Sequence, residues 1–317
     1  MTAAVEQDLT IRPITGREEL DLFSRFPYQL NDEITADLDN GGRHFDWMWV
    51  ALRGDHLLAR AAWWSRPGDA EPLMLDLFDL ADDLDGAERV EIGTRLLKTA
   101  MAEVVPGGAR PPEYSRFLPS GWRDDPALRR DAEDRGAALE ATGARLFVER
   151  LRLVWHPGTP IAPPAGRLAF RPVSGRDELV ELMTRVLDGT LDAHSRDELT
   201  RVPPDRAARE QYDSELERYP SPKEWWRIAT LPDGEPVGFV IPAHNSYNPI
   251  IAYIGVVPEH RGKGYIDEIL AEGTRILAAQ DVPRVRASTD VGNVPMAAAF
   301  HRAGYVTFEH ELNYVWP

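Results

Sequence analysis

The chain of 317 residues contains no cysteine, which excludes disulfides, thiolate metal sites and a cysteine nucleophile. No apolar run approaches the roughly 18 residues that a membrane-spanning helix needs. The start, Met1 to Thr10, lacks the basic end and the apolar run of a secretion signal. We therefore expect a cytoplasmic protein that does not enter a membrane.

Positive charge is also scarce, since 36 Lys and Arg residues stand against 52 Asp and Glu residues and give a formal charge of −16. A field of that sign disfavours nucleic acid and anionic membranes as partners. It favours a cationic substrate such as an amine, although an acidic surface also simply keeps many proteins soluble. Hydrophobic residues make up 43% of the chain, which is enough for a core that needs no disulfides or metal ions. The length suits two domains of ordinary size or one large one.

The two halves of the chain begin and end alike. Ile11–Leu20 (IRPITGREEL) shares six residues at equal spacing with Phe170–Leu179 (FRPVSGRDEL). Gly143–Trp155 likewise shares Gly, Phe, Leu, Val and Trp with Gly304–Trp316, at nearly the same offset. The duplication predicts two domains, residues 1–155 and 168–317, joined by a Pro- and Gly-rich linker at residues 156–167.

Each copy predicts a mixed α/β sheet flanked by helices. In the second copy, strands are expected at Leu168–Pro172, Trp225–Thr230, Val237–Ile241, Ile250–Val257, Val285–Thr289 and about Val306–Val315. Helices are expected between the first two of these strands up to about Tyr219, from Ile266 onward, and at Val294–Arg302. The first copy has a matching hairpin, Trp47–Leu52 with Leu57–Trp64.

The segment Val256–Tyr265 (VVPEHRGKGY) predicts an anion site between a strand and a helix. Gly262 and Gly264 allow the backbone to approach a ligand and turn its N–H groups inward. The helix N-terminus adds partial positive charge, and Arg261 and Lys263 add two full charges. Such a loop can hold a pyrophosphate, although the same residues also suit an ordinary basic turn before a helix.

This segment resembles the cofactor motif of the GNAT acetyltransferase superfamily, Arg/Gln-x-x-Gly-x-Gly/Ala. Arg261 and Gly264 match its first and fourth positions, whereas Ile266 stands where the motif has Gly or Ala. Further on, Asn293–Tyr305 (NVPMAAAFHRAGY) resembles the later family motif, in which an Asn opens a helix that ends at Gly-Phe or Gly-Tyr. The similarity covers about residues 167–317 and extends to the first copy in layout only. A tandem pair of such domains resembles mycothiol synthase-like members of the superfamily.

The resemblance implies two tandem GNAT-like domains, of which the second is catalytic and binds acetyl-CoA. Backbone groups of the cofactor strand would pair with the pantetheine arm, and amides from Arg261 to Ile266 would hold the pyrophosphate. Asn293 would bond the pantetheine region or cap its own helix. The expected cofactor-binding residues are Val256, Val257, Arg261, Gly262, Lys263, Gly264, Tyr265, Ile266, Asn293 and Phe300. No metal site is expected.

The corresponding loop of the first copy, Asp79–Gly86 (DLADDLDG), carries four aspartates and no basic residue. Two like charges about 4 Å apart repel by roughly 1 to 4 kcal/mol, and a pyrophosphate would meet several. We therefore expect the first copy to bind no CoA and to serve by packing against the second copy and walling its cleft.

Acyl transfer to an amine needs a base for the amine and an acid for the departing thiolate. The resemblance implies direct attack on the thioester, since no cysteine is available for a covalent intermediate. In many family members the acid is a Tyr seven residues after the Asn. Here that position is Phe300, which cannot donate a proton.

The remaining residues yield three catalytic candidates and two acceptor-binding candidates, each with a structural alternative. Asp290 lies at the end of the strand before Asn293, or starts a turn. His244 titrates in a useful range and enters the cofactor strand, or lies on the surface. Tyr253 on that strand faces the cleft, or packs in the core. Asp192 and His194 follow the first helical segment, where the resemblance places the acceptor, or form a solvated loop.

The function that these features predict is transfer of an acetyl group from acetyl-CoA to a primary amine of a small molecule, in a ternary complex. One alternative is transfer of another acyl group, or transfer to the amine of a thiol sugar. A non-catalytic acyl-CoA or metabolite-binding module is the alternative that Phe300 favours. The expected partners are acetyl-CoA and a small amine, in a monomer or homodimer.

Overall fold

The computed structural model describes residues 9–245 and 247–317. The chain divides into two compact units, the first made of Met1–Val148 with Glu311–Pro317 and the second of Glu149–His310. Each unit thus includes the strand segment that ends the other sequence copy. The duplication predicted a different kind of division, into residues 1–155, 156–167 and 168–317. These boundaries describe the sequence repeat and stay a prediction.

The first unit contains a sheet and four α-helices among its described residues. Its elements are β1 (Leu9–Pro13), α1 (Leu20–Phe23), α2 (Ile34–Asn40), β2 (Met48–Arg53), β3 (His56–Trp64), β4 (Met74–Leu80), α3 (Gly86–Val104), β5 (Glu113–Pro119) and α4 (Pro126–Glu140). The strands follow the order β1-β2-β3-β4-β5, antiparallel from β1 to β4 and parallel between β4 and β5. Trp63, Phe78 and Leu96 lie in its buried core.

The second unit repeats this layout with a longer helical insertion. The strand β6 (Arg145–Trp155) enters it at Glu149. The elements that follow are β7 (Ala169–Pro172), α5 (Arg176–Leu187), α6 (Ala193–Glu198), α7 (Pro204–Ser214), β8 (Arg227–Thr230), β9 (Pro236–His244), β10 (Pro249–Val256), α8 (Tyr265–Ala278), β11 (Val285–Asp290), α9 (Val294–Arg302) and β12 (Val306–Val315). The mixed α/β architecture expected from the sequence is confirmed.

The sheet of the second unit has the order β6-β11-β10-β9-β8-β7. Its pairs are antiparallel except for β10 with β11, which run parallel. Helix α8 packs on β9 and β10 through a face of Ile269, Leu270 and Leu277, all fully buried. These residues recur at helical spacing, and this periodicity is what made α8 predictable from the sequence.

The parallel pairing of β10 with β11 is confined to one residue pair, Ile250 with Arg286. Beyond that pair the two strands diverge, and the rest of β10 keeps hydrogen-bonded pairing only on its β9 side. A bulge at Ala252, between Ile251 and Tyr253, interrupts the register of β10 with β9. A bulge bends its strand and increases the local twist, which fits the divergence.

Two glycines let other elements approach β9 and β10 closely. A Cβ added at Gly238 on β9 would lie 2.2 Å from the carbonyl oxygen of Gly255 on β10. A Cβ added at Gly273 on α8 would lie 2.6 Å from a methyl group of Val240. The strand that borders the cleft is therefore held by contacts that leave no room for a side chain.

Across the described ranges 9–245 and 247–317, no helix combines the length and the apolar character that crossing a bilayer requires.

Replacing Gly238 with Ala should destabilise the protein by about 2 kcal/mol, because the new methyl group would overpack the backbone of β10. The measurement is the free energy of unfolding in urea. Gly292→Ala is the matched control, since a Cβ at Gly292 meets nothing within 4 Å. Equal stability of the two variants would contradict the close approach of β9 and β10.

Candidate functional site

The second unit contains a cleft of about 1270 Å³ that runs beside the free part of β10. Its wall includes residues of β10, the first turn of α8, the loop after α5, and helices α6 and α7. The end of β11 and one face of α9, from its N-cap to Phe300, complete the wall. The apolar strand and the helix starts that the sequence predicted thus meet around one cavity.

The backbone of β10 offers unpaired polar groups to this cleft. The N–H of Val257 donates to the carbonyl of Val237 (2.9 Å), so this residue faces β9. Because alternate residues of an antiparallel ladder point in opposite directions, the N–H groups of Val256 and Ile254 point away from β9, toward the divergence. An extended ligand could add to this edge as a strand does. Val256 lines the cleft, whereas Val257 is fully buried behind it.

The glycine loop after β10 leads directly into α8. Gly262 and Gly264 both have φ of +74°, in the left-handed region that glycine adopts without strain. Gly264 is the N-cap residue of α8. Because glycine has no side chain, it leaves the first N–H groups of the helix uncapped. Gly262, Gly264, Tyr265 and Ile266 line the cleft. The helix N-terminus therefore presents donors and partial positive charge to the cavity.

Arginines hold the two acidic side chains of the first turn of α8. Asp267 accepts a hydrogen bond from Arg302 Nη2 (2.7 Å), and Glu268 accepts one from Arg167 Nε (2.6 Å). Both carboxylates are thus paired with cations, which reduces the repulsion that an anion at this helix start would meet.

Arg167 also fixes the direction of the loop peptides. Its Nη1 donates to the carbonyl of Lys263 (2.9 Å) and its Nη2 to the carbonyl of Gly264 (3.1 Å). In a trans peptide the N–H points opposite to the carbonyl, so the N–H groups of Gly264 and Tyr265 point away from Arg167. The sequence placed Arg167 at the end of the linker, and no spacing pattern indicated this contact.

The side chains of the two basic loop residues lie differently from each other. Arg261 directs all three guanidinium nitrogens to backbone carbonyls, those of Val256, Asp188 and Val186. Lys263 is exposed, with its Nζ 3.5 Å from His260 Nδ1, and does not line the cleft.

Asn293 and Phe300 both line the cleft at α9. The side-chain oxygen of Asn293 accepts a hydrogen bond from the N–H of Met296 (3.3 Å), as a helix cap does. Its amide nitrogen has no hydrogen-bond partner among the described residues. Phe300 is buried against Tyr305, whose hydroxyl is 2.8 Å from Thr274 Oγ1. Tyr305 is not part of the lining, so it does not supply the hydroxyl that Phe300 lacks.

The acceptor candidates Asp192 and His194 lie on the cleft at the start of α6. Asp192 caps this helix, accepting from the N–H of Ser195 (2.8 Å). Behind them, Asp290 is 3% exposed and accepts from the N–H of Ala193 (2.6 Å). Burial raises the pKa of Asp290, and the charge of Asp192 adds to the rise. Asp290 thus supports the start of α6 from behind and does not line the cleft.

Arg150, on the strand that ends the first sequence copy, joins these carboxylates. Its Nε lies 3.3 Å from Asp290 Oδ1, and its Nη2 lies 4.0 Å from Asp192 Oδ2. Arg150 lines the cleft of the second unit although it precedes the predicted linker. No sequence pattern indicated this, because the position depends on the pairing of β6 with β11.

Tyr253 lines the cleft among carboxylates. Burial raises its pKa, and the charges of Asp192, Glu215 and Glu198 raise it further. Its ring packs edge-on against Phe239. His244 lies elsewhere, at the end of β9, with its ring 5.9 Å from that of Trp225, and does not line the cleft.

Glu198, Glu210 and Glu215 also line this end of the cleft, and sequence patterns did not indicate them. Burial raises the pKa of Glu198 above its ordinary value, and the neighbouring charge of Glu210 adds to the rise. The cleft therefore has an end with backbone donors near α8 and an acidic end near α6 and α7.

In the described residues of the first unit, charged side chains join the strands at the corresponding place. Strand β4 carries a bulge at Asp76, as β10 does at Ala252, and three residues beyond each bulge Asp79 corresponds to Gly255. Asp79 is 4% exposed, and its Oδ1 lies 2.8 Å from Arg116 Nη2 on the neighbouring strand β5. An ion pair thus joins β4 and β5 where the second unit has a glycine.

Other charged groups complete this closure in the first unit. Arg60 Nε donates to Asp79 Oδ2 (2.7 Å). Asp85 caps α3 by accepting from the N–H of Glu88 (2.9 Å), so a carboxylate of the chain itself covers this helix start. Only about 10 Å³ of free volume remains beside Arg116 and Tyr114.

Residues 167–306 match the family model of the acetyltransferase (GNAT) domain. This confirms the resemblance for the second half of the chain. No curated protein sequence matches the chain.

Solved structures with the same fold cover nearly the whole chain. A GCN5-related N-acetyltransferase from Sphaerobacter thermophilus has a TM-score of 0.57 at 16% identity, over 97% of this chain and 95% of that one. A tandem GNAT protein from the clavulanic acid biosynthesis pathway has a TM-score of 0.50 at 17% identity, over 97% and 98%. A glucosamine N-acetyltransferase region of a fungal multi-domain β-N-acetylglucosaminidase has a TM-score of 0.54 at 15% identity, over 97% and 38%.

At these identities the likeness establishes the fold: an α/β protein with two GNAT-like domains in tandem. The similarity to mycothiol synthase-like members stays a prediction.

Replacing Asp79 with Asn should destabilise the protein by about 3 kcal/mol at pH 7, because it leaves buried arginines without their counter-charge. Burial would raise the pKa of Asp79, but Arg116, Arg60 and Arg135 outweigh it and lower this pKa to about 2 from 3.8. The carboxylate therefore stabilises the fold fully above about pH 4, and this contribution is lost as the pH falls toward 2.

The measurement is the free energy of unfolding in urea from pH 7 to pH 3. The difference between wild type and Asp79→Asn should shrink below pH 4. Asp83→Asn is the control, since Asp83 is exposed in the same loop and pairs with an exposed His56. A difference that does not change with pH would rule out the ionised Asp79 as its source.

Proposed function

We propose, on the premise that residues 167–306 form a GNAT acetyltransferase domain, that this unit transfers an acetyl group from acetyl-CoA to the primary amine of a small molecule. The observation that carries the proposal is the cleft itself. The open edge of β10, the uncovered N-terminus of α8 and a group of carboxylates border one cavity of about 1270 Å³.

The residues of this cleft fit the two halves of acetyl-CoA. The N–H groups of Ile254 and Val256 would pair with the amide-containing pantetheine arm. The N–H groups of the loop from Gly262 to Ile266 would hold the pyrophosphate, in the direction that Arg167 sets. The bound molecule supplies a thioester, and a β10 N–H would polarise its carbonyl as an oxyanion hole does.

Ile266 departs from the family motif, yet it leaves the cleft open. Its side chain lines the cavity beside Tyr265, and the first turn of α8 remains accessible at Gly264. The extra bulk narrows this end of the cleft without closing it, so the loop still fits a pyrophosphate.

The acidic end of the cleft favours an amine acceptor. Glu198, Glu210 and Glu215 would attract an ammonium group and orient it toward β10. A carboxylate whose pKa burial has raised is a better proton acceptor than an ordinary one, so Glu198 is the proposed base. Asp192 and His194 would contact the acceptor from the start of α6.

Tyr253 is the proposed acid. A tyrosine hydroxyl is protonated at neutral pH, and the side chain of Tyr253 lies on the cleft from β10. Phe300 cannot serve, because it has no proton to donate. Asp290 would act by holding the start of α6 in place, whereas the location of His244 beside Trp225 supports no role in proton transfer.

A non-catalytic acyl-CoA-binding module is the second candidate. Phe300 favours it, since a hydrocarbon ring stands where many family members have a tyrosine acid. The two candidates agree on where CoA binds and differ on turnover.

Calorimetry with CoA and a thiol-release assay with acetyl-CoA would test the proposal. We expect one CoA per chain, since in the described part of the first unit Asp79 pairs with Arg116 across the corresponding separation and Asp85 caps α3. We expect thiol release with at least one amine from a panel of polyamines, aminoglycosides, amino sugars and amino acids. Binding without thiol release across the panel would favour the binding module, and two CoA molecules per chain would contradict the assignment of the first unit.

Replacing Glu198 with Gln should lower kcat about a hundredfold, since a positioned general base contributes about 10²–10⁴-fold. It should also raise the KM for the amine about tenfold, because a hydrogen bond to a charged group is lost. In the wild type, kcat/KM should fall on the acid side of the pH profile as Glu198 gains a proton. That limb should be weaker in the variant. Glu181→Gln, which removes an exposed charge from α5, is the control. An unchanged acid limb would exclude Glu198 as the base.

A further inference from the structure

The guanidinium group of Arg261 is bound by the backbone of its own domain. Nε donates to the carbonyl of Val256 (3.0 Å), Nη1 to that of Asp188 (2.6 Å) and Nη2 to that of Val186 (2.9 Å). Three separate bonds to one planar cation specify its position closely.

The three carbonyls belong to two elements that border the cleft. Val186 lies in the last turn of α5, and Asp188 follows the end of that helix. Carbonyls at a helix C-terminus have no partner within the helix and carry partial negative charge, so a cation is favourable there. Val256 is the last residue of β10. Arg261 therefore joins the end of α5 to the end of the proposed cofactor strand.

The end of α5 packs closely both on Arg261 and on β10. A Cβ added at Gly189, where φ is +61°, would lie 3.2 Å from Arg261 Nη1. A Cβ added at Gly255 would lie 3.1 Å from a methyl group of Val186. Small residues on both elements thus let α5 end directly against β10.

The chain that leaves this junction carries the proposed acceptor residues. From Asp188 it passes through Gly189 and Thr190 to Asp192, which caps α6. Any change in the end of α5 would therefore move the acceptor side of the cleft relative to the N–H groups of β10.

We infer that Arg261 is a positioning residue that fixes the acceptor loop, residues 188–192, against β10, and that its side chain is not a phosphate ligand. This inference rests on the proposed function, which makes β10 the cofactor side of the cleft and residues 188–192 its acceptor side. It assigns the phosphate contacts to the backbone of the loop, with Arg261 acting through the end of α5.

The experiment compares Arg261→Lys, Arg261→Gln and Gly189→Ala in the full chain. Arg185→Gln is the matched control, because Arg185 is the other arginine at the end of α5 and pairs with the exposed Glu259 (3.4 Å). Hydrogen exchange of residues 186–192 is measured without ligand. Calorimetry with CoA at several salt concentrations gives the affinity and its salt dependence.

We expect exchange at residues 186–192 to rise about tenfold or more in both Arg261 variants, because a lysine cannot span three carbonyls. Gly189→Ala should give the same local effect, and Arg185→Gln should leave exchange unchanged. The salt dependence of CoA affinity should match the wild type in Arg261→Lys. The KM for an amine found in the thiol-release assay should rise more than that for acetyl-CoA.

Unchanged exchange in the Arg261 variants would overturn the inference. A second result would also overturn it: Arg261→Lys binds CoA like the wild type, while Arg261→Gln binds CoA weakly and with a shallower salt dependence. That pattern marks a direct phosphate contact. The exchange measurement needs no turnover. Failure to find any acceptor would therefore count against the proposed function and leave the test of Arg261 intact.

Discussion

The divergence of β10 and β11 after Ile250 and Arg286 is the constraint on which the candidate site depends. A buried strand ordinarily pairs its backbone on both sides, because an unpaired polar group in the interior is costly. Here the free edge faces a cleft, where water or a ligand can satisfy it. The same divergence leaves room for the first turn of α8, so one feature of the sheet creates both the edge and the cavity.

Arginine side chains at the border of the cavity maintain this opening. Arg167 binds the outward carbonyls of the glycine loop, and Arg261 binds the carbonyls at the end of α5. Arg150 joins the carboxylates behind the acceptor loop. Each of these cations satisfies oxygens of the chain itself, so the loops are positioned before a ligand arrives, and less ordering is needed on binding.

The two copies of the fold show how a few side chains decide between a cleft and a core. Both have a bulged strand that separates from a parallel neighbour. In the second unit Gly255 follows the bulge, and Gly264 opens α8 without a side chain. In the first unit Asp79 pairs with Arg116 across the corresponding separation, and Asp85 caps α3. The first unit thus keeps the backbone arrangement, while its own charged side chains occupy the corresponding positions.

The sequence by itself determined the duplication, the mixed α/β fold and the location of the glycine loop. Those features are local: α9 begins and ends at the residues that the pattern predicted, because Asn293 caps it and Gly304 follows its end. Most of the expected cofactor residues lie on the cleft for the same reason, since one strand-loop-helix segment carries them.

Only the tertiary structure decided what the charged side chains do. Arg261 was expected at the phosphate end; it lines the cleft there, and its guanidinium group donates to carbonyls more than seventy residues earlier in the chain. Arg167, Arg150 and Glu198 gave no signal, and His244 and Asp290 lie off the cleft lining. Long polar side chains bind whatever oxygen the fold brings within about 3 Å, and such a distance is set by packing between elements far apart in sequence.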